Sequence, residues 1–218
     1  MNLLARIPSP RGDGVCCAPM YTIGILGGVA SGKSLVTELL ARMGAGVLDA
    51  DRAGHEVLRM PEVERAVQER WGDGVFGPDG HVDRRKLAEI VFSPRQEGHE
   101  ERRYLEQLTH PEIKRRLRAQ AKRLESEGVA AVVLDAPLLL ESGWDSLCDK
   151  LWFVDAPREQ RLARARSRGW SEEQFAAREA AQESLDFKRQ RADVVVDNSG
   201  SPEATRAQVA RLWHSLVG

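Results

Sequence analysis

No stretch of this chain is apolar for long enough to cross a bilayer. The longest uninterrupted apolar run, residues 129–134, is six residues, where a spanning helix needs about 20. Cysteine is scarce: Cys16, Cys17 and Cys148 form neither a disulfide framework nor a paired metal-ligand spacing. The N-terminus lacks the continuous apolar segment of a secretory signal, and these absences together favour a reducing cytoplasm. A surplus of charge of either sign is also missing. The 32 basic and 33 acidic side chains leave a net charge of −1, which argues against a nucleic-acid binder that neutralises phosphates over its whole surface. Aromatic residues make up only 6%, and neither the five tryptophans nor Cys148 carries a signal beyond packing.

What is present suits one α/β domain. The chain has 218 residues, 42% apolar and 30% charged, enough for a proper core with small insertions. Residues 1–19, rich in Pro, Gly and Arg without a period, are expected to be a disordered extension, and Met20 reads as a candidate start. Residues 20–218 form a single domain. Short apolar runs at 21–26, 46–51, 130–136, 150–155 and 193–198 read as five strands. Their near-continuous Val, Ile and Leu predicts a parallel sheet covered on both faces, a doubly wound fold. Helical periods occupy 33–43, 62–70, 83–92, 100–127 and 202–216, and an Arg-rich helical stretch runs from 156 to about Arg191. The blocks 52–128 and 156–191 interrupt the strand–helix alternation and are expected to be insertions that close over a site.

Between the first strand and the first helix stands GGVASGKS, residues 27–34. It meets the phosphate-loop pattern G-x-x-x-x-G-K-[ST] with Gly27, Gly32, Lys33 and Ser34, in the strand–loop–helix context the pattern requires. At average residue usage a chance match in such a chain is expected roughly once in a hundred sequences. Glycines at 27, 28 and 32 let backbone N–H groups turn inward onto anionic oxygens. The helix from Lys33 points its positive end at the same place. Lys33 is placed to reach the β- and γ-phosphates of a nucleotide, and the Ser34 hydroxyl to ligate Mg²⁺.

A phosphate loop alone leaves the reaction open. Asp49 and Asp51 close the second strand, at the sheet edge where ligands bind in open α/β folds. Either could accept a proton from an attacked hydroxyl, and either could cap the following helix. Asp135 ends the strand at 130–134, where a carboxylate can hold Mg²⁺ or start a turn. Thr109-His110-Pro111-Glu112 reads as a helix start, with Thr109 capping and Glu112 reaching back, which leaves His110 unexplained. Arg158, Arg161, Arg164, Arg166 and Arg168 fall within eleven residues; most belong to a solvated helix face, while Arg164 and Arg168 share one side at i, i+4. A GTPase-type switch would carry an Asn-Lys-x-Asp turn, and the chain has none.

Several stretches are similar to the dephospho-CoA kinase family: IGILGGVASGKS (23–34), VLDAD (47–51), DGHVDRRKLAEIVF (79–92), LEQLTHPEI (105–113), VVLDAPLLLESG (132–143) and KRQRADVVVDNSG (188–200). They keep family order and cover nearly everything from Met20 onward. The resemblance implies transfer of the ATP γ-phosphate to the ribose 3′-hydroxyl of dephospho-CoA, the last step of coenzyme A biosynthesis, with Mg²⁺ as cofactor. It implies a core of residues 20–51, 129–155 and 192–218, a helical acceptor region 52–128 and an Arg-bearing lid 156–191. Asp51 becomes the base, with Lys33 and Arg164 beside it in catalysis. ATP falls to Gly28, Val29, Ala30, Ser31, Gly32, Lys33, Ser34 and Leu35 with Arg164, Asn198 and Gly200. The acceptor falls to Asp51, His110, Pro137, Leu138, Leu139 and Glu141, and the metal to Ser34 and Asp135. Leu26, Ala30, Leu35 and Leu140 depart from the usual Thr, Gly, Thr and Phe. None of them removes a phosphate-facing N–H. The reading is of a cytoplasmic monomer or weak homo-oligomer acting on small molecules, without nucleic acid or membrane.

Overall fold

The computed structural model describes residues 19–93, 96–136 and 138–218; residues 1–18 of the expected extension 1–19, and Pro137, lie outside them. Five strands form one parallel sheet in the order β2-β3-β1-β4-β5. They are β1 (Tyr21–Gly27), β2 (Gly46–Asp49), β3 (Ala131–Asp135), β4 (Lys150–Asp155) and β5 (Val194–Asp197). The central strand β1 pairs with β3 on one side and β4 on the other. This places the loop that follows it at the middle of the carboxyl edge, where neither neighbouring strand can fill the crevice. Register sets Asp49 beside Asp135 and Asp155 beside Asp197, so the four strands flanking β1 all end in an aspartate.

Both sheet faces are covered, as continuous apolar strands require. On one face Leu48, Leu134 and Phe153 pack with Val57, Val67 and Ile113. These come from α2 (Ala50–Leu58), α3 (Pro61–Trp71) and α5 (Gln96–Ser126). On the other face Ile25, Val133 and Trp152 meet Val36, Leu40, Val209 and Trp213 of α1 (Lys33–Arg42) and α9 (Pro202–Val217). Each fully buried Ile, Leu, Val or Phe here contributes about 1.5–3 kcal/mol relative to exposure. No helix among the described residues is long and apolar enough to cross a membrane.

Three expected boundaries change. The second strand stops at Asp49 rather than 51, because the Asp49 carboxylate accepts from Arg52 N–H (2.8 Å) and starts α2 at Ala50. No helix begins at Thr109: residues 109–112 lie inside α5, with Pro111 in its interior, and α4 (Arg84–Val91), capped by Asp83, precedes it. The Thr109 hydroxyl donates back to the Leu105 carbonyl (2.8 Å) instead of capping forward, a role open to any mid-helix Thr. The Arg-rich stretch is not one long helix but α6 (Arg158–Ser167), α7 (Glu172–Ala180) and α8 (Leu185–Arg191). Gly169, at φ 80°, ends the first. The Ser171–Gln174 capping box and Ser184 start the other two, so local capping chemistry overrides a shared amphipathic period.

Candidate active site

The loop between β1 and α1 is built for an anion. Gly32 precedes α1 in a left-handed conformation, φ 103°, and the helix has no side-chain cap and no acidic residue in its first turn. Its positive end is therefore left for a ligand. A Cβ on Gly32 would lie 2.0 Å from Asn198 Nδ2, so glycine is required there by close approach as well as by dihedral. Ala30 also sits at positive φ, 58°, which costs a non-glycine residue about 1–2 kcal/mol. The departure at this position thus carries strain in the backbone, not loss of an N–H. The Ser31 hydroxyl is buried without a partner, and Ser34 is exposed at the first helical turn.

Lys33 arches back over this loop, its Nζ donating to the Gly27 and Gly28 carbonyls (3.1 and 3.2 Å). Burial and the nearby Lys188 ammonium lower its pKa to about 8, while Asp135 and Glu141 resist the fall. The loop is clamped from outside. Asn198 Nδ2 donates to the Ser31 carbonyl (2.7 Å), and Arg164 bridges the Ser31 carbonyl (3.1 Å) and the Asn198 carbonyl (2.8 Å). Arg161, 3% exposed, donates to the Ala156 and Val29 carbonyls and pairs with Glu179 of α7. Of the five clustered arginines it is the one that a solvated-face reading misplaces. Its signal is visible only in three dimensions.

On the β2–β3 side, Asp51 rims a cavity of about 240 Å³ whose walls include Leu105, His110, Leu138 and Trp144. Burial raises the Asp51 pKa above the ordinary Asp value, and neighbouring Asp49 adds to it; His55 and Arg84 pull the other way. Asp135 is raised by burial too, with Lys33 opposing and Asp49 and Asp51 adding. His110 stands edge-on to Trp144, ring centroids 5.3 Å apart, and burial lowers its pKa. A neutral imidazole in an apolar wall offers a hydrogen bond without the cost of a buried charge.

The phosphate loop and the cavity rimmed by Asp51 therefore both lie at the carboxyl edge of the sheet, where Asp49 and Asp135 end β2 and β3, an arrangement open to phosphoryl transfer. A family model for dephospho-CoA kinase matches residues 21–203. The chain belongs to the dephospho-CoA kinase family. A dephospho-CoA kinase of Symbiobacterium thermophilum is 44% identical over 91% of this chain and 82% of its own length. One from Carboxydothermus hydrogenoformans is 41% identical over 87% and 91%. Among solved structures, a Thermus thermophilus protein superposes with a TM-score of 0.79 at 36% identity, covering 91% of this chain and 99% of that one. The Campylobacter jejuni dephospho-CoA kinase gives 0.66 at 26% identity over 90% and 96%. The chain is thus an ATP-dependent kinase.

Within this dephospho-CoA kinase framework the residues singled out in the sequence separate into groups. Gly28, Val29, Ala30, Ser31, Gly32, Lys33 and Ser34 share the loop and the start of α1, with Leu35 turned to the core around α1. Arg164 and Asn198 touch the loop, while Gly200 lies exposed between β5 and α9. Asp51, His110 and Leu138 line one cavity. Leu139 and Glu141 do not. Leu139 is 1% exposed in the core, because it sits where a Cβ on Gly24 of β1 would meet it at 3.1 Å. Glu141 faces α8 and the turn before it, paired with Lys188 (3.1 Å) and accepting from Glu183 N–H (2.8 Å). Sequence reasoning missed His55, Arg84 and Trp144, which also line the cavity. For Arg84 a signal existed, since it lies in a quoted family stretch; for His55 and Trp144 there was none.

Proposed function

We propose that this chain transfers the γ-phosphoryl group of ATP to the ribose 3′-hydroxyl of dephospho-CoA, with Asp51 as general base. The observation that carries this is Asp51 itself: a carboxylate with a raised pKa, at the rim of a partly enclosed cavity and close enough to Asp135, which also interacts with the phosphate-loop Lys33, to raise its pKa. Residues 52–128 hold the acceptor, and 156–191 act as the lid over ATP. Asp51 takes the hydroxyl proton as the oxygen attacks in line, while Lys33 and Arg164 stabilise the charge on the moving phosphoryl. Closure of the lid excludes water, so that the hydroxyl rather than solvent is phosphorylated. The Ser34 hydroxyl in the first turn of α1 and the Asp135 carboxylate at the end of β3 are hard oxygen donors, a set that fits Mg²⁺ bound through one or two protein groups plus phosphate. Mg²⁺ there would neutralise the triphosphate.

An ADP-release assay coupled to a reporter, run with dephospho-CoA, with adenosine and with no acceptor, tests the reading. Release should depend on dephospho-CoA; release that ignores it overturns the assignment. Lys33 supplies a second test. Its pKa of about 8 in the free protein must rise when triphosphate arrives, so ATP binding takes up a proton above pH 8 and almost none below pH 7. At pH 8.5 the uptake is roughly three-quarters of a proton, readable by calorimetry in buffers of different ionisation enthalpy. No uptake at that pH would mean that Lys33 is already fully charged in the free protein.

A further inference from the structure

Three ion pairs fasten α8 to the core, and they are unequal. Arg189 pairs with Asp155 at the end of β4, and Arg191 with Asp145 after Trp144; both pairs are open to solvent, where such contacts contribute little. Lys188 and Glu141 differ. Their side chains are 3% and 10% exposed and 3.1 Å apart. The Lys188 ammonium also donates to Gln182 (3.0 Å), and Glu141 also accepts from Glu183 N–H (2.8 Å), so one carboxylate gathers the residues that lead into α8. Burial raises the Glu141 pKa, yet the Glu183 N–H and Lys188 bring it below the ordinary Glu value. The pair is therefore ionised in the interior, where removing either partner leaves a charge alone.

What the pair holds lies against the phosphate loop. Leu185, the first residue of α8, sits where a Cβ on Gly28 would meet its Cδ2 at 3.0 Å, and Lys33 donates to the Gly28 carbonyl. Burial lowers the Lys33 pKa most and Lys188 next, with Glu141 opposing, so both charges of the pair are felt at Lys33. Glu141 does not line the cavity that Asp51 rims, although Leu138 and Ser142 of the same turn do. We propose that Glu141 and Lys188 are positioning residues for the nucleotide: their buried pair holds α8 on the phosphate loop and keeps Gly28 and Lys33 where a triphosphate needs them. With α8 untied, ATP has to order the loop as well as fill it, and affinity falls. This runs against the family resemblance, which gives Glu141 to the acceptor. It rests on the chain being an ATP-dependent kinase and not on Asp51 as base.

Charge and position predict different signs, which two variants separate. Calorimetric titration of the full chain with ATP and Mg²⁺, without acceptor, reads ATP affinity. Glu141→Ala removes a negative charge near the loop, so charge alone would tighten ATP; Lys188→Met removes a positive one, so charge alone would weaken it. Loss of position weakens both. Kd for ATP should rise about tenfold in each, the scale of a lost hydrogen bond to a charged group, while KM for dephospho-CoA at saturating ATP stays within twofold. ATP affinity unchanged or tighter in Glu141→Ala overturns the proposal. So does a change in KM for dephospho-CoA that exceeds the change in ATP affinity, which returns Glu141 to the acceptor. A purely structural pair would lower the melting temperature and leave the ATP affinity of the folded protein as it was, an outcome that also overturns it. If Glu141→Ala does not fold, Glu141→Gln keeps the shape and weakens the pair: weaker ATP binding there supports the proposal, and unchanged or tighter binding defeats it. Because the titration needs no acceptor, absence of dephospho-CoA-dependent ADP release would defeat the proposed function and leave this inference standing.

Discussion

Asp51→Asn is expected to lower kcat by about 10²–10⁴-fold, the range for losing a positioned general base, and to leave the affinity for ATP nearly unchanged. The amide keeps the shape of the carboxylate and cannot take a proton. Burial and Asp49 hold the Asp51 pKa above its ordinary value, which makes the carboxylate a stronger base. The same shift fixes the pH dependence. With Asp51 as the proposed base the ionised form is the active one, so the rate should be full above the raised pKa and fall as pH drops through it, on an acid limb displaced upward from the usual Asp range and absent in Asp51→Asn. Stability should hardly change, because Asp49 and not Asp51 caps α2. Asp49→Asn is therefore the matching control, since Asn caps a helix about as well as Asp. A kcat for Asp51→Asn within fivefold of the unsubstituted protein, with dephospho-CoA as acceptor, would remove Asp51 from the chemistry.

Arg164→Ala is expected to lower kcat by about 10³-fold or more, the scale on which an arginine beside a transferring phosphoryl group acts, and to raise KM for ATP far less. The guanidinium spans two loops: one arm reaches the Ser31 carbonyl of the phosphate loop, the other the Asn198 carbonyl after β5. That fork holds the charge between the phosphate loop and the loop after β5 before nucleotide arrives, so little reorganisation is left for the reacting state. Arg164→Lys should rescue poorly, because a single ammonium on a flexible stem cannot hold both carbonyls at once. Turnover measured at saturating ATP and dephospho-CoA decides it. A rate unchanged in Arg164→Ala would confine the residue to holding the two loops together.

Arg161, three residues earlier on the same helix, shows how little the pattern of arginines says about their work. Spacing of i, i+3 puts both on related faces, yet Arg161 is consumed by Ala156, Val29 and Glu179. Similarly, Leu138 and Leu139 are adjacent and identical. One lines the cavity that Asp51 rims and the other fills the core against β1. Glu141, three residues on, is drawn to Lys188, a partner 47 positions away in the chain.

By itself the sequence determined what depends on near neighbours. The phosphate loop with Lys33 and Ser34 was legible because its chemistry is carried by backbone turns and a helix start within eight residues. The five parallel strands were legible because their apolar period is local. Only the tertiary structure decided the strand order 2-3-1-4-5, the choice of Asp49 as cap, the burial of Arg161, the turn of Glu141 toward Lys188 of α8 and the unpartnered nitrogens of His55 and Trp144. Each of these depends on which distant segment arrives alongside, or on what the local contact leaves exposed. Burial and pairing of that kind are set by the packing of whole helices onto the sheet, which no short window of residues contains.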